Sequence, residues 1–317
     1  MAPNKVEVIQ YLVDTRGLWP TATKTSDLER EASRALALLT PEERARVLRY
    51  HFVADAKMSL ASQLLKHWVV SKYCGVRWAE TKLSADTNGK PVFKDAAGRQ
   101  PVVFNVSHQA GLVALVAAHD YDAGDSSKVD IGVDIVCVNE REQRDLRMIR
   151  TEGWAKFVDM HADVFGRSEA AYLKNGITAR PAYAALRTEE ERREYKLRAF
   201  YTLWCLREAY VKMTGEALLA EWLGDLMFQD FEPPEPGTEF AQSEDDDPKQ
   251  IIRKHDVVFH GRPVDDANIC IRSLGPHYMT CTAVRTPERK EDALGWELGP
   301  FKFLTMDEIL TDAESAA

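Results

Sequence analysis

No run of apolar residues in this 317-residue chain approaches the length of about 18 that a membrane-spanning helix needs. The opening stretch, Met1-Ala2-Pro3-Asn4-Lys5, lacks the apolar region of a secretory signal, so a soluble, cytoplasmic protein is expected, with no membrane partner. Cysteine is sparse: Cys74, Cys137, Cys205, Cys270 and Cys281 make an odd count without a Cys-x-x-Cys pair, which argues against a disulfide frame and a zinc site. Neither a P-loop nor a Gly-x-Gly-x-x-Gly fingerprint occurs, so the two commonest nucleotide cradles are missing. Positive charge is also short, and a net charge of −9 argues against a general nucleic-acid binder.

The deficit of positive charge is uneven. Residues 1–130 hold 17 Lys and Arg against 15 Asp and Glu, while residues 131–317 hold 24 against 35. The first part is therefore the expected host of an anionic ligand. Much of the acidity beyond it is local. Phe231 to Pro248 carries seven acids, no base and four prolines, and the segment 231–250 is expected to be a solvated loop. A hydrophobic content of 45% is ample for a sizeable core.

The patterning predicts mixed α and β structure. Val6 to Val13 alternates as a strand, and Ser26-Asp27-Leu28-Glu29 is a capping box that predicts a helix to about Leu39. Thr40-Pro41-Glu42-Glu43 starts a second helix, which presents Arg44, Arg46 and Arg49. Asp55 to Lys72 is a long helix stopped by Gly75, and Asn88-Gly89-Lys90-Pro91 is turn chemistry that places Lys90 on a loop. Val102 to Val106 reads as a strand that leaves through a tight connection at Ser107-His108-Gln109-Ala110-Gly111. Thr188 caps another long helix ending near Gly215, and Asn268–Ser273 with Tyr278–Val284 reads as a hairpin.

Two segments carry candidate chemistry. In Val129 to Val136, strand alternation sends Ile131, Val133 and Ile135 to one side and Gly132, Asp134 and Val136 to the other. Asp134 then either meets water on an edge strand or is a buried acid that requires a cation or hydrogen-bond donors. In Phe200 to Lys212, Trp204, Glu208 and Lys212 fall on one helical face. This is either an ordinary surface Glu/Lys pair beside a buried indole or a catalytic face. No internal repeat shows at the residue level, yet the order of elements before and after about residue 129 suggests two related halves.

Three stretches in one order, Phe104-Asn105-Val106-Ser107-His108, Gly132-Val133-Asp134-Ile135 and Trp204-Cys205-Leu206-Arg207-Glu208-Ala209-Tyr210-Val211-Lys212, resemble the signature of the Sfp-type 4'-phosphopantetheinyl transferases, in particular the fungal branch serving several megasynthases. The likeness runs through most of residues 6–230 and the 268–284 hairpin. It implies an α+β fold of two pseudo-symmetric halves, 1–129 and 130–317, with the active site in the cleft between them. It also implies transfer of phosphopantetheine from coenzyme A to a serine of acyl or peptidyl carrier proteins, in polyketide, nonribosomal peptide, fatty acid or lysine pathways, releasing adenosine 3',5'-bisphosphate. By matched position, Asp134 and Glu208 would hold Mg²⁺, or Mn²⁺ in its place, with Glu208 or a metal-bound water as base and Lys212 on the pyrophosphate. Ser107 and His108 would contact the nucleotide phosphate, Lys90 the region of the adenosine, and Arg46 and Ser59 coenzyme A.

The sequence departs from the family pattern at two places. Val136 stands where bacterial members often carry a third carboxylate, so the metal shell is expected to take an extra water or a polar neighbour such as Gln109. Glu43 replaces a lysine of some relatives, which leaves the phosphate clamp to Arg44 and Arg46. The missing carboxylate also motivates an alternative, a non-catalytic module that binds coenzyme A or a carrier. A basic patch in the first half is the expected docking surface for acidic carriers, and a monomer is expected because one chain supplies both halves.

Overall fold

The computed structural model describes residues 8–121, 128–215, 221–238 and 247–316. The sequence features taken up here from 1–7, 122–127, 216–220, 239–246 and 317, among them the first two residues of the expected Val6–Val13 strand and the centre of the acidic segment, lie outside the described residues.

Among the described residues the first half comprises β1 (Val8–Asp14), short helices α1 (Leu28–Glu31) and α2 (Ser33–Leu36), α3 (Pro41–Leu48), α4 (Val53–Cys74), the small ribbon β2 (Leu83–Ala85) and β3 (Pro91–Phe93), and the hairpin β4 (Val102–Gln109) and β5 (Leu112–His119). The second half opens with β6 (Asp130–Cys137) and α5 (Glu142–Glu152), then α6 (Trp154–Asp159), α7 (Arg167–Ala171) and α8 (Pro181–Ala184), and reaches α9 (Glu189–Thr214). The strands β7 (Leu226–Gln229), β8 (Ile251–Ile252), β9 (Asp256–Phe259), β10 (Arg262–Pro263), β11 (Asn268–Leu274) and β12 (Tyr278–Arg285) come next, and α10 (Lys290–Leu294), β13 (Lys302–Phe303) and α11 (Met306–Ser315) end the described chain.

The two halves repeat one plan. In the first, a strand is followed by a long helix and then a hairpin whose second strand pairs with the opening strand, giving the order β1-β5-β4. In the second the same logic gives β6-β12-β11, with α9 in the place of α4. Both long helices stop at a left-handed glycine, Gly75 at φ 63° and Gly215 at φ 81°, as their C-terminal signals predict. The expected α+β architecture of two related halves is thus the observed one, with the boundary falling between β5 and β6. The tail, grouped with the second half on sequence grounds, packs on the first. β13 adds to β1 in parallel, and Trp68 donates its indole N–H to Asp312 of α11 at 2.9 Å.

Local reasons explain where elements deviate from expectation. The segment 26–39 does not form one helix: Ala32, at φ −108° and ψ 23°, separates α1 from α2, and Asp27 reaches back to accept from the backbone N–H groups of Thr23 and Lys24. β4 runs past Val106 to Gln109 because Asn105, Ser107 and Gln109 alternate toward β6 and find partners there. Its turn is only Ala110 and Gly111, both at positive φ, as a two-residue hairpin requires. Glu43, which stands where some relatives have a lysine, is buried. Burial alone would push its carboxyl up, but the imidazole of His67, 2.9 Å away, and Thr40 hold it down to about 2.

The second half is fixed by a buried charge pair. Arg207, wholly buried on α9, donates to Glu169 at 2.6 Å and to the carbonyls of Leu226 and Leu223. Glu169 in turn accepts from the backbone of Gly166 and Phe228. One guanidinium thereby ties α9 to α7, to β7 and to the turn before it. Removing one member of such a pair leaves the other charge buried without compensation. Glu169→Gln is therefore expected to lower the free energy of urea unfolding by about 3 kcal/mol; an unchanged unfolding midpoint would contradict this role.

Candidate active site

Strand β6 pairs with β12 along one edge, and its other edge faces β4 without joining it in a sheet. Side chains close this seam. Asn105 accepts from the N–H of Val133 at 2.9 Å and Gln109 from that of Cys137 at 3.3 Å, while Ser107 Oγ donates to Asp134 Oδ1 at 2.9 Å. The alternation expected for β6 holds on both faces. Ile131, Val133 and Ile135 join one apolar cluster, and Val136 joins the cluster built around α9. Gly132 lies so close to α9 that a Cβ there would fall 2.2 Å from the carbonyl oxygen of Ala209, so strand and helix meet backbone to backbone.

That approach puts Asp134 opposite the far end of α9. Its carboxylate, only 5% exposed, accepts from Lys212 Nζ at 2.6 Å, and the same ammonium donates to Ser107 Oγ at 2.9 Å. Asp134 is therefore the paired buried acid of the two alternatives. One turn before Lys212, Glu208 is partly buried and makes no hydrogen bond or ion pair among the described residues. Burial, and then the neighbouring charge of Asp134, push its carboxyl up to about 7 against the pull of Lys212. The Glu208/Lys212 face is thus not an ordinary surface pair. Trp204 packs beside Phe165, Phe200 and His161, a structural anchor for the helix.

The remaining expected residues fall in two groups. His108 follows Ser107 on β4, and its pKa is lowered by burial and by the charge of Lys212. Arg46 and Ser59 share a cleft of about 300 Å³ with Arg49, Tyr50 and Gln63. Arg44 is paired with Glu29 at 3.4 Å and does not line this cleft. Lys90 reaches the seam itself, donating to the carbonyls of Ile131 at 2.7 Å and Lys212 at 3.3 Å.

Lys66 is a residue that motif spacing does not flag. It is 8% exposed, lies at helical spacing i, i+4, i+7 with Ser59 and Gln63, and makes no ion pair among the described residues. Burial pushes its ammonium down to about 8, against the pull of Glu43 and with the push of Arg46. The available signal is the polar row Ser59, Gln63 and Lys66 along a largely buried helix.

The donors suit a hard divalent cation, which takes one or two carboxylates and leaves its other positions to phosphate oxygens and water. Glu208 has no partner of its own, its ionised form is disfavoured by Asp134, and a cation between them would relieve both. Among the described residues no third His, Cys, Asp or Glu joins them. Gln109 is not spare, since its amide bonds both Cys137 and Glu140, and Val136 is turned into the core.

Residues 26–120 match the family model described as "4'-phosphopantetheinyl transferase, N-terminal", and residues 130–271 match "4'-phosphopantetheinyl transferase superfamily". The two matches meet between β5 and β6, at the seam that holds the site. The chain is 45% identical to 4'-phosphopantetheinyl transferase 1 of Fusarium mangiferae, across all of this chain and 98% of the relative. It is 36% identical to the 4'-phosphopantetheinyl transferase of Aureobasidium melanogenum, over 89% and 92%. To the L-aminoadipate-semialdehyde dehydrogenase-phosphopantetheinyl transferase of Schizosaccharomyces pombe it is 29% identical, over 68% and 70%. With both halves matched and a relative aligned end to end, the chain belongs to the 4'-phosphopantetheinyl transferase family and is an enzyme of that activity.

Proposed function

We propose that the seam between β4, β6 and α9 moves phosphopantetheine from coenzyme A to a carrier-protein serine, and that Lys212, Asp134, Glu208 and Ser107 are its reacting centre. The observation that carries this reading is one ammonium, Lys212 Nζ, bridging Asp134 and Ser107 from opposite halves with an unpartnered Glu208 one turn away. Arg46, Arg49, Lys66 and Ser59 hold the nucleotide phosphates of coenzyme A. Ser107 and His108 guide the pyrophosphate toward Lys212. The serine oxygen of the carrier forms a bond to the phosphorus that bears pantetheine, and the bond from that phosphorus to adenosine 3',5'-bisphosphate breaks. Glu208 takes the serine proton. Lys212 stabilises negative charge growing on the leaving bisphosphate. Mg²⁺, or Mn²⁺ in its place, held by Asp134 and Glu208 supplies neutralisation of the pyrophosphate when bound.

A docking surface for the carrier on α5 fits the exposed charge best. Arg141, Arg144, Arg147 and Arg150 are exposed there, and none makes an ion pair among the described residues. α5 begins just beyond the Asp134 strand and is tied to α9 by Tyr201, which donates to Asp145 at 2.6 Å. An acidic carrier docked on it would present its serine to Glu208. Acyl and peptidyl carrier domains of polyketide, nonribosomal peptide, fatty acid or lysine pathways are the proposed substrates, with a single chain as the working unit.

Mass spectrometry of an apo carrier incubated with coenzyme A and Mg²⁺ should show the gain of one phosphopantetheine group. Asp134→Ala and Glu208→Ala should each abolish it while remaining folded; full activity in either sinks the assignment. Because the Glu208 carboxyl is raised in the folded state, its ionisation detracts from stability as pH rises from its ordinary value of 4.5 toward 7. Glu208→Gln should therefore melt higher than the unaltered protein at pH 8 but not at pH 4.5, with equal melting at both pH values refuting the raised carboxyl. Reversing charge in the double variant Arg144→Glu, Arg147→Glu should raise the KM for the carrier roughly tenfold at low salt, an effect that fades as salt screens it, with the KM for coenzyme A little changed. An unaltered carrier KM would move the docking surface elsewhere.

A further inference from the structure

Lys90 belongs to the turn between β2 and β3, and the turn is built to hold it. Asp86 Oδ1 accepts from the backbone N–H of both Asn88 and Lys90, and Gly89 takes the positive φ of 80° that the chain reversal needs. From this anchored base the side chain crosses from the first half into the second. Its ammonium donates to the carbonyl of Ile131 on β6 and to that of Lys212 on α9.

Both acceptors matter. Lys212 lies in the last turn of α9, where a carbonyl has no later helical N–H to accept from, and a cation at a helix C-terminus also meets the negative end of the macrodipole. Ile131 directly precedes Gly132, the residue whose missing Cβ lets β6 touch α9. Asp130, whose charge reaches the ammonium, is already engaged by Arg285 at 2.8 Å and Lys128 at 3.3 Å, and the ammonium of Lys90 serves the two carbonyls. Burial lowers its pKa to about 8, consistent with an enclosed group.

We infer that Lys90 is a positioning residue: it staples β6 to the C-terminal turn of α9 and thereby sets the spacing of Asp134 against Glu208 and Lys212. The inference rests on the proposed roles of those three residues. It makes the ammonium a strut of the reacting centre, where the motif position had suggested a contact near the adenosine.

The test compares Lys90→Met and Lys90→Gln with the unaltered full-length protein, using Mn²⁺ binding by electron paramagnetic resonance, coenzyme A affinity by calorimetry, and kcat for a carrier protein. Lys90→Met is expected to weaken Mn²⁺ binding and lower kcat, each by about tenfold, while coenzyme A affinity changes less than about threefold. Lys90→Gln, which keeps one donor, should fall between; it carries the same comparison if the methionine variant does not fold. A loss of coenzyme A affinity with kcat and Mn²⁺ binding preserved would overturn the inference and return Lys90 to the nucleotide. Absence of transfer or of Mn²⁺ binding in the unaltered protein would instead sink the catalytic assignment on which the inference rests.

Discussion

A buried carboxylate at a seam between two sheets is the constraint around which this molecule is arranged. Asp134 projects from the middle of a buried edge strand, where an ionised group is costly unless a cation or several donors meet it. The compensation comes from both sides, Ser107 from the first half and Lys212 from the second. Neither half alone contains the arrangement. The chemistry that holds the halves in register is therefore also the chemistry proposed to handle a pyrophosphate, and a phosphate anion entering the seam competes for an ammonium that Asp134 already uses.

Around that point the structure separates rigid support from reactive groups. Arg207, adjacent in sequence to Glu208, turns instead into a buried pair with Glu169. One helix therefore buries a neutralised cation and exposes an uncompensated acid to the cleft. The buried pair fixes the helix against α7 and β7, and its backbone contact at Gly132 fixes it against β6. A raised carboxyl such as that of Glu208 persists only where surrounding structure leaves the side chain no route to relax.

Much of this was legible before any coordinates. Period-two alternation placed Asp134 on the face of Gly132, and period-four spacing put Glu208 and Lys212 together, because both patterns are dictated by backbone geometry alone. What escaped depended on partners remote in sequence. Ser107 and His108 looked like a turn because their strand is prolonged by side-chain bonds to β6, which a local pattern does not contain. Lys90 lies on a turn that signals solvent, yet its tertiary contacts carry it to the seam. The helix expected over 26–39 breaks at Ala32, and no local signal in the sequence marked that break.

The return of the tail to the first half has a mechanical side. The chain passes between the halves twice, once between β5 and β6 and again between β12 and β13, where the last strand adds to β1 and α11 covers α4. A body joined to its neighbour by a single strand can swing about it; one joined by two separated strands loses most of that rotation. The cleft is in this respect a strapped joint rather than a hinge, which suits the proposed centre, whose two carboxylates stand on β6 and α9 and whose bridging hydroxyl stands on β4.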